Sequence, residues 1–154
     1  MRRLRDGEWI AGAGAVALLA SMLLHWYALD AALLGGVAAE ATAWQAFGVL
    51  DVVLVLLALV PLALVVTQAT RKSPAIPVFF SVMTVLAGAL AALLILYRIV
   101  NQPGPNDAVD VDPGAWLGLA AAAVTAAGGW GSMRAEAIPG AIVPPVEDLP
   151  APAP

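Results

Sequence analysis

The sequence contains no cysteine. Disulfides, thiolate nucleophiles, haem-attachment motifs and cysteine metal sites are therefore excluded. It has a single histidine, His25, so the paired ligand sets of a histidine metalloenzyme cannot be assembled. Charge is scarce. Only 12% of the residues are Asp, Glu, Lys or Arg, against about 25% in a soluble domain, and there is one lysine, Lys72. No basic patch is large enough for nucleic acid. A Ser nucleophile elbow, H-E-x-x-H, a P-loop and a dinucleotide-binding glycine pattern are all missing. No catalytic residue, metal or cofactor is expected.

What remains is apolar. Of the 154 residues, 62% are hydrophobic, and the mean hydropathy is +0.90. Several runs reach the roughly 20 residues that cross a bilayer core of about 30 Å. The sequence predicts an all-α protein, a four-helix transmembrane bundle with spans near 9–27, 46–69, 76–100 and 113–133. Residues 1–8 form a basic cytoplasmic N-terminus, 9–133 the membrane domain, and 134–154 a proline-rich cytoplasmic tail expected to be extended or disordered. The first run exceeds the h-region of a cleaved signal, about 7–15 residues, and no small-x-small site closes it. A retained span is expected.

Lys and Arg near the span ends set orientation. Arg2, Arg3, Arg5, Arg71, Lys72 and Arg134 all fall on one side if there are four spans. The opposite loops carry Asp30, Glu40, Asp107, Asp110 and Asp112 and no Lys or Arg. Both termini are thus expected in the cytosol, in the inner membrane. Trp and Tyr favour the membrane–water interfaces. Trp9, Phe79, Phe80 and Trp130 would form an inner belt, and Trp26, Trp44, Tyr97 and Trp116 an outer one. Trp9 and Trp26 lie roughly 26 Å apart at helical rise.

Helices in lipid associate through close approach and polar contacts. Gly114, Gly118 and Ala122 give the fourth span a small-residue stripe, and Ala13 and Ala17 give one to the first. The second span is crowded with Val and Leu. Spans one and four are therefore expected in tight contact, in the bundle or in a dimer. Pro61, inside the second span, cannot donate to Leu57 and predicts a bend. Ser73 before Pro74 suits a helix cap followed by a first-turn proline.

Three ionisable residues stand out. Asp51 lies in the run "GVLDVVLVLLALVPLALVV", about 10 Å inside the second span if that span starts at Ala46. A carboxylate at a helix centre costs about 2.5–3.5 kcal/mol, and less near an interface. Arg98, near the outer end of the third span, would lower that cost by pairing with it. His25 could join them, making an outer-leaflet polar cluster of Asp51, Arg98 and His25 able to relay protons or sense pH. The plainer reading is an interfacial histidine bonded to water or backbone. Asp110, Asp112 and Gly114 faintly echo a calcium loop but fail at most positions. An acidic, solvated loop fits them better.

"WQAFGVLD", "YRIVNQPG" and "GAWLGLAAAAVTAAGGW", with the arginine-rich start, resemble small four-span membrane proteins of GC-rich bacteria, families without a characterised activity. The resemblance covers most of the first 136 residues and implies a membrane bundle, with no activity carried over. The expected role is structural or partner-binding, with the lipid bilayer and a second copy or another membrane protein as partners. The alternative is a small transport or sensing component built on the polar cluster.

Overall fold

The computed structural model describes residues 6–29, 39–70, 77–104 and 108–137. Asp30, Arg71, Lys72, Ser73, Pro74 and Asp107, the arginines of the first five residues and most of the proline-rich tail lie outside them. The order of elements is α1 (Asp6–Ser21), β1 (His25–Leu29), β2 (Ala39–Thr42), α2 (Ala43–Ala46), α3 (Val49–Thr70), α4 (Pro77–Val100), β3 (Val109–Val111) and α5 (Pro113–Ala137). The chain is mostly helical, but it is not all-α. Three short strands form an antiparallel sheet in the order β2-β1-β3.

The four long helices close a ring in which α1 packs on α5 and α3, and α4 packs on α5 and α3. The α5 side of that ring is built from small residues. Gly114, Ala115, Gly118, Ala121, Ala122, Thr125, Gly128, Gly129 and Ser132 form its buried stripe. Across it, α1 presents Gly7, Ala11 and Gly14, while Gly12 faces Val65 of α3. The backbones come close. A Cβ placed on Gly14 would lie 2.8 Å from the Thr125 nitrogen, and one on Gly88 of α4 would lie 2.6 Å from the Ala126 nitrogen. Only hydrogen fits at these positions.

Polar side chains also face inward. Ser81 and Ser132 share a 3.1 Å hydrogen bond between α4 and α5. The Thr125 hydroxyl donates to the Ala121 carbonyl at 2.9 Å. Large apolar side chains instead point outward on all four long helices: Val16 on α1, Leu56 and Leu59 on α3, Leu90 and Leu93 on α4, and Leu117 and Val124 on α5 are all exposed. α3 and residues 79–100 of α4 are long and apolar enough to cross a membrane. α3 continues through Pro61, whose ring is buried.

The segment expected to finish the first span does something else. α1 stops at Ser21, whose hydroxyl donates to the Leu18 carbonyl at 2.7 Å. After a short turn, the chain becomes strand β1. A His-Trp-Tyr run suits a half-buried pleated surface better than a helix end. Trp26 is fully buried, so it belongs to the core and not to an outer aromatic belt. Trp44, Tyr97 and Trp116, expected in that belt, are exposed, as are Trp9, Phe79 and Trp130 at the opposite end.

All three strands lie at one end of the bundle: β1 follows α1, β2 leads into α2, and β3 leads into α5. Tyr27 pairs with Ala41 on one side and with Val111 on the other. The Asp112 nitrogen donates to the Trp26 carbonyl at 2.9 Å, carrying the chain from the sheet into α5.

Candidate functional site

The polar residues of interest gather where the sheet meets the helices. Phe47 is the hub. It sits in the break between α2 and α3, because Gly48 separates the two helices. α2 is closed at its start by Gln45, whose side-chain oxygen accepts from the Thr42 nitrogen at 2.9 Å. The Phe47 ring meets Trp26 edge-on at 5.5 Å and Tyr27 edge-on at 5.7 Å. The Arg98 guanidinium carbon lies 4.6 Å from the same ring centre, a cation–π contact.

Tyr27 links the sheet to α4. Its hydroxyl donates to the Arg98 carbonyl at 3.0 Å, satisfying one of the free carbonyls at that helix end. Burial pushes the Tyr27 phenol up to about 12, an effect that the nearby Arg98 charge partly offsets. Trp26 ties the sheet to α1, its indole nitrogen donating to the Ser21 carbonyl at 2.7 Å. Asn101 donates to the Tyr97 hydroxyl at 2.8 Å.

The three residues singled out in the sequence find different partners. His25 lies on β1 and pairs with Glu40 on β2, Nδ1 to Oε2 at 2.9 Å, with both side chains about half exposed. Arg98 stacks on Phe47. Asp51 is buried, and its Oδ1 has no hydrogen-bond partner. Among the described residues, no ion pair joins Asp51 to Arg98. The depth assigned to Asp51 also changes. α3 begins at Val49, not at Ala46, so Asp51 occupies the first turn. There the amide dipoles favour a negative charge. Its position is that of a helix-start carboxylate.

Gly114 and Gly118 pack on the sheet-bearing end of α1. A Cβ on Gly118 would lie 2.7 Å from the Trp26 ring and 3.0 Å from the Ser21 hydroxyl. Ala122 is fully buried in the same stripe, so all three are used inside the chain. Asp110 is exposed on β3. No group of His, Asp or Glu among the described residues could hold a metal ion.

Sequence reasoning missed Phe47, Tyr27 and the buried Glu8 of α1. Phe47 and Tyr27 were legible only as apolar or interfacial residues, because their roles depend on a sheet formed by three separate loops. Two surface grooves flank the hub. One of about 320 Å³ is lined by Ala46, Phe47, Gly48, Leu50, Leu94, Tyr97 and Arg98. The other, about 350 Å³, runs beside the sheet past Tyr27, Glu40, Gln45 and Val109. No known protein family, characterised protein or solved structure matches the chain.

Proposed function

We propose that the chain is a four-span protein of a bacterial cytoplasmic membrane, with both termini in the cytosol, and that its role is structural or partner-binding. One observation carries this reading: large apolar side chains lie exposed on the outside of all four long helices, while hydroxyl side chains are buried between them. Ser81, Thr84, Thr125 and Ser132 are buried, while Val49, Leu56, Leu93 and Val100 are exposed. Soluble monomers rarely expose large apolar side chains together on one surface. In lipid, the arrangement is favourable, because small and hydroxyl-bearing residues drive helix contact there. α1 and α5 are less apolar than α3 and α4 because they carry the small residues. Their close packing on α3 and α4 supports assigning them to the same layer.

The polar end supports a structural role. Tyr27, Trp26 and Arg98 make contacts that fasten the sheet to the helices, and His25 pairs within the sheet with Glu40. A transport or sensing device would need His25, Asp51 and Arg98 to face one another, and their partners differ. The test uses the absence of native cysteine. Single cysteines at Asp110 and at Arg134 are probed in intact cells with an impermeant maleimide. Labelling at position 110 only, with position 134 reacting after lysis, is the expected result. Labelling of position 134 in intact cells, or recovery of the protein in a detergent-free high-speed supernatant, would overturn the reading. Mild-detergent purification with cross-linking then reports the partner or the second copy.

A further inference from the structure

The groove between the start of α3 and the end of α4 has two unlike halves. Arg98 lies at its sheet end. Its guanidinium rests on the Phe47 ring, its Nε is buried without a hydrogen-bond partner, and no carboxylate among the described residues pairs with it. Leu94 lies one helical turn towards the middle of α4, and Leu50 faces it from α3. The floor between them is open at Gly48, where an added Cβ would meet nothing within 4 Å. A cation therefore sits about 6 Å, one turn, from the start of an apolar trough. The volume, about 320 Å³, is at the lower end of small-molecule sites, about 300–1,000 Å³.

We propose that this groove binds an anionic glycerophospholipid, with the phosphodiester on Arg98 and the upper acyl chain lying over Leu50 and Leu94. This rests on the bilayer reading above. The charge selects the ligand class. Arginine offers donors in a fork that matches phosphate oxygens, and among the described residues no carboxylate occupies it: Glu40 is held by His25 and Asp51 makes no ion pair with it. Free phosphate would satisfy Arg98 but leave the leucine trough to water, whereas a lipid satisfies both. Tyr97, beside Arg98 and exposed, lies at the headgroup level that aromatic residues favour.

The experiment is native mass spectrometry of the full-length protein in a non-ionic detergent, titrated with phosphatidylglycerol and with phosphatidylcholine. Phosphatidylglycerol should form a one-to-one adduct at roughly tenfold lower concentration than phosphatidylcholine. Arg98→Gln should weaken the phosphatidylglycerol adduct about tenfold. Arg134→Gln, which removes the same charge at the other end of the bundle, should leave it unchanged. Gly48→Phe, at a position where an added Cβ meets nothing within 4 Å, puts a ring into the trough and should also abolish the adduct, which keeps the test decisive if Arg98→Gln does not fold. Millimolar inorganic phosphate should not displace the lipid. Equal losses in Arg98→Gln and Arg134→Gln, or displacement by phosphate, would overturn the assignment. Failure of the membrane reading would show separately, as protein that needs no detergent to stay in solution.

Discussion

Replacing single glycines of α5 by alanine tests the packing of the bundle against an internal standard. Gly→Ala within a helix ordinarily stabilises by about 1 kcal/mol, because alanine loses less backbone freedom. Gly131 is the reference site, since the nearest atom to an added Cβ there is the Gly7 Cα at 3.9 Å. Gly131→Ala should therefore raise stability by about 0.5–1 kcal/mol. At Gly118 the added methyl would stand 2.7 Å from one Trp26 ring carbon and 3.0 Å from another, where carbon atoms prefer about 3.5–4.0 Å. The ring must retreat by about 1 Å to reach that spacing. It is held by its 2.7 Å bond to the Ser21 carbonyl and by the Phe47 edge contact. Overpacking of this kind costs about 1–3 kcal/mol, so Gly118→Ala should be net destabilising by about 0–2 kcal/mol after the helix gain of about 1 is subtracted. Gly128→Ala should be worse, because its methyl would meet the Ala11 and Gly7 backbone, which has no rotamer to change. The assay is the apparent Tm in detergent, followed by tryptophan fluorescence and by size-exclusion recovery after heating. The expected order is Gly131→Ala above the parent, then Gly118→Ala, then Gly128→Ala. Equal shifts at all three positions would refute the idea that α5 touches its neighbours through its glycines.

Tyr27→Phe should lower stability by about 1 kcal/mol through loss of the bond to the Arg98 carbonyl, and should remove a late-titrating phenol from the absorbance titration at 295 nm. The sign follows from that phenol standing at about 12 when folded against an ordinary value of 10. The unfolded chain sheds this proton first, so the contribution of Tyr27 is intact below pH 10 and falls away between pH 10 and 12; a phenol that ionises at its ordinary pH would contradict the buried position. A double-mutant cycle on Ser81→Ala and Ser132→Ala should give a coupling of about 0.6 kcal/mol, the usual size for a hydroxyl contact between membrane helices, and zero coupling would remove the bond. The same cycle on Asp51→Asn and Arg98→Gln should be additive within about 0.5 kcal/mol, whereas a larger coupling would restore the ion pair. Glu40→Gln should change the apparent Tm little, since an exposed pair is worth about 0.2–1 kcal/mol.

The helices were largely legible because their signal is one of length and apolar content, which needs no knowledge of neighbours. The end of α3 at Thr70 and both ends of α4 fall within a residue of the sequence reading. The small-residue stripe of α5 was legible for the same reason, since glycine at a four-residue spacing lines one side of a helix whatever it meets. On α1 the sequence reading chose Ala13 and Ala17, which are exposed, and the buried small residues are Ala11, Gly12, Gly14 and Ala15. The sheet was not legible. Each strand has three to five residues, and its pairing partners come from other loops, so no window of sequence contains the pattern. "HWYAL" read as the end of a span because its residues are apolar, and hydropathy does not distinguish a strand from a helix at that length. The break at Phe47–Gly48 was not legible either: a continuous apolar run from Ala46 hid a helix start at Val49, which puts Asp51 in the first turn of α3.

The order of the strands along the chain has a consequence for biogenesis. β1 is the central strand, yet it is synthesised first, and its neighbour β3 follows roughly eighty residues later. At translation rates of about 5–20 residues per second, one side of β1 waits for several seconds with its amide and carbonyl groups unmatched. During that interval it is a template for any extended segment nearby. The ribosome must deliver α3 and α4 before the late strand can arrive, so the sheet closes only after α1 to α4 have been made and just before α5. A truncated product that stops before Val109 carries that open edge permanently.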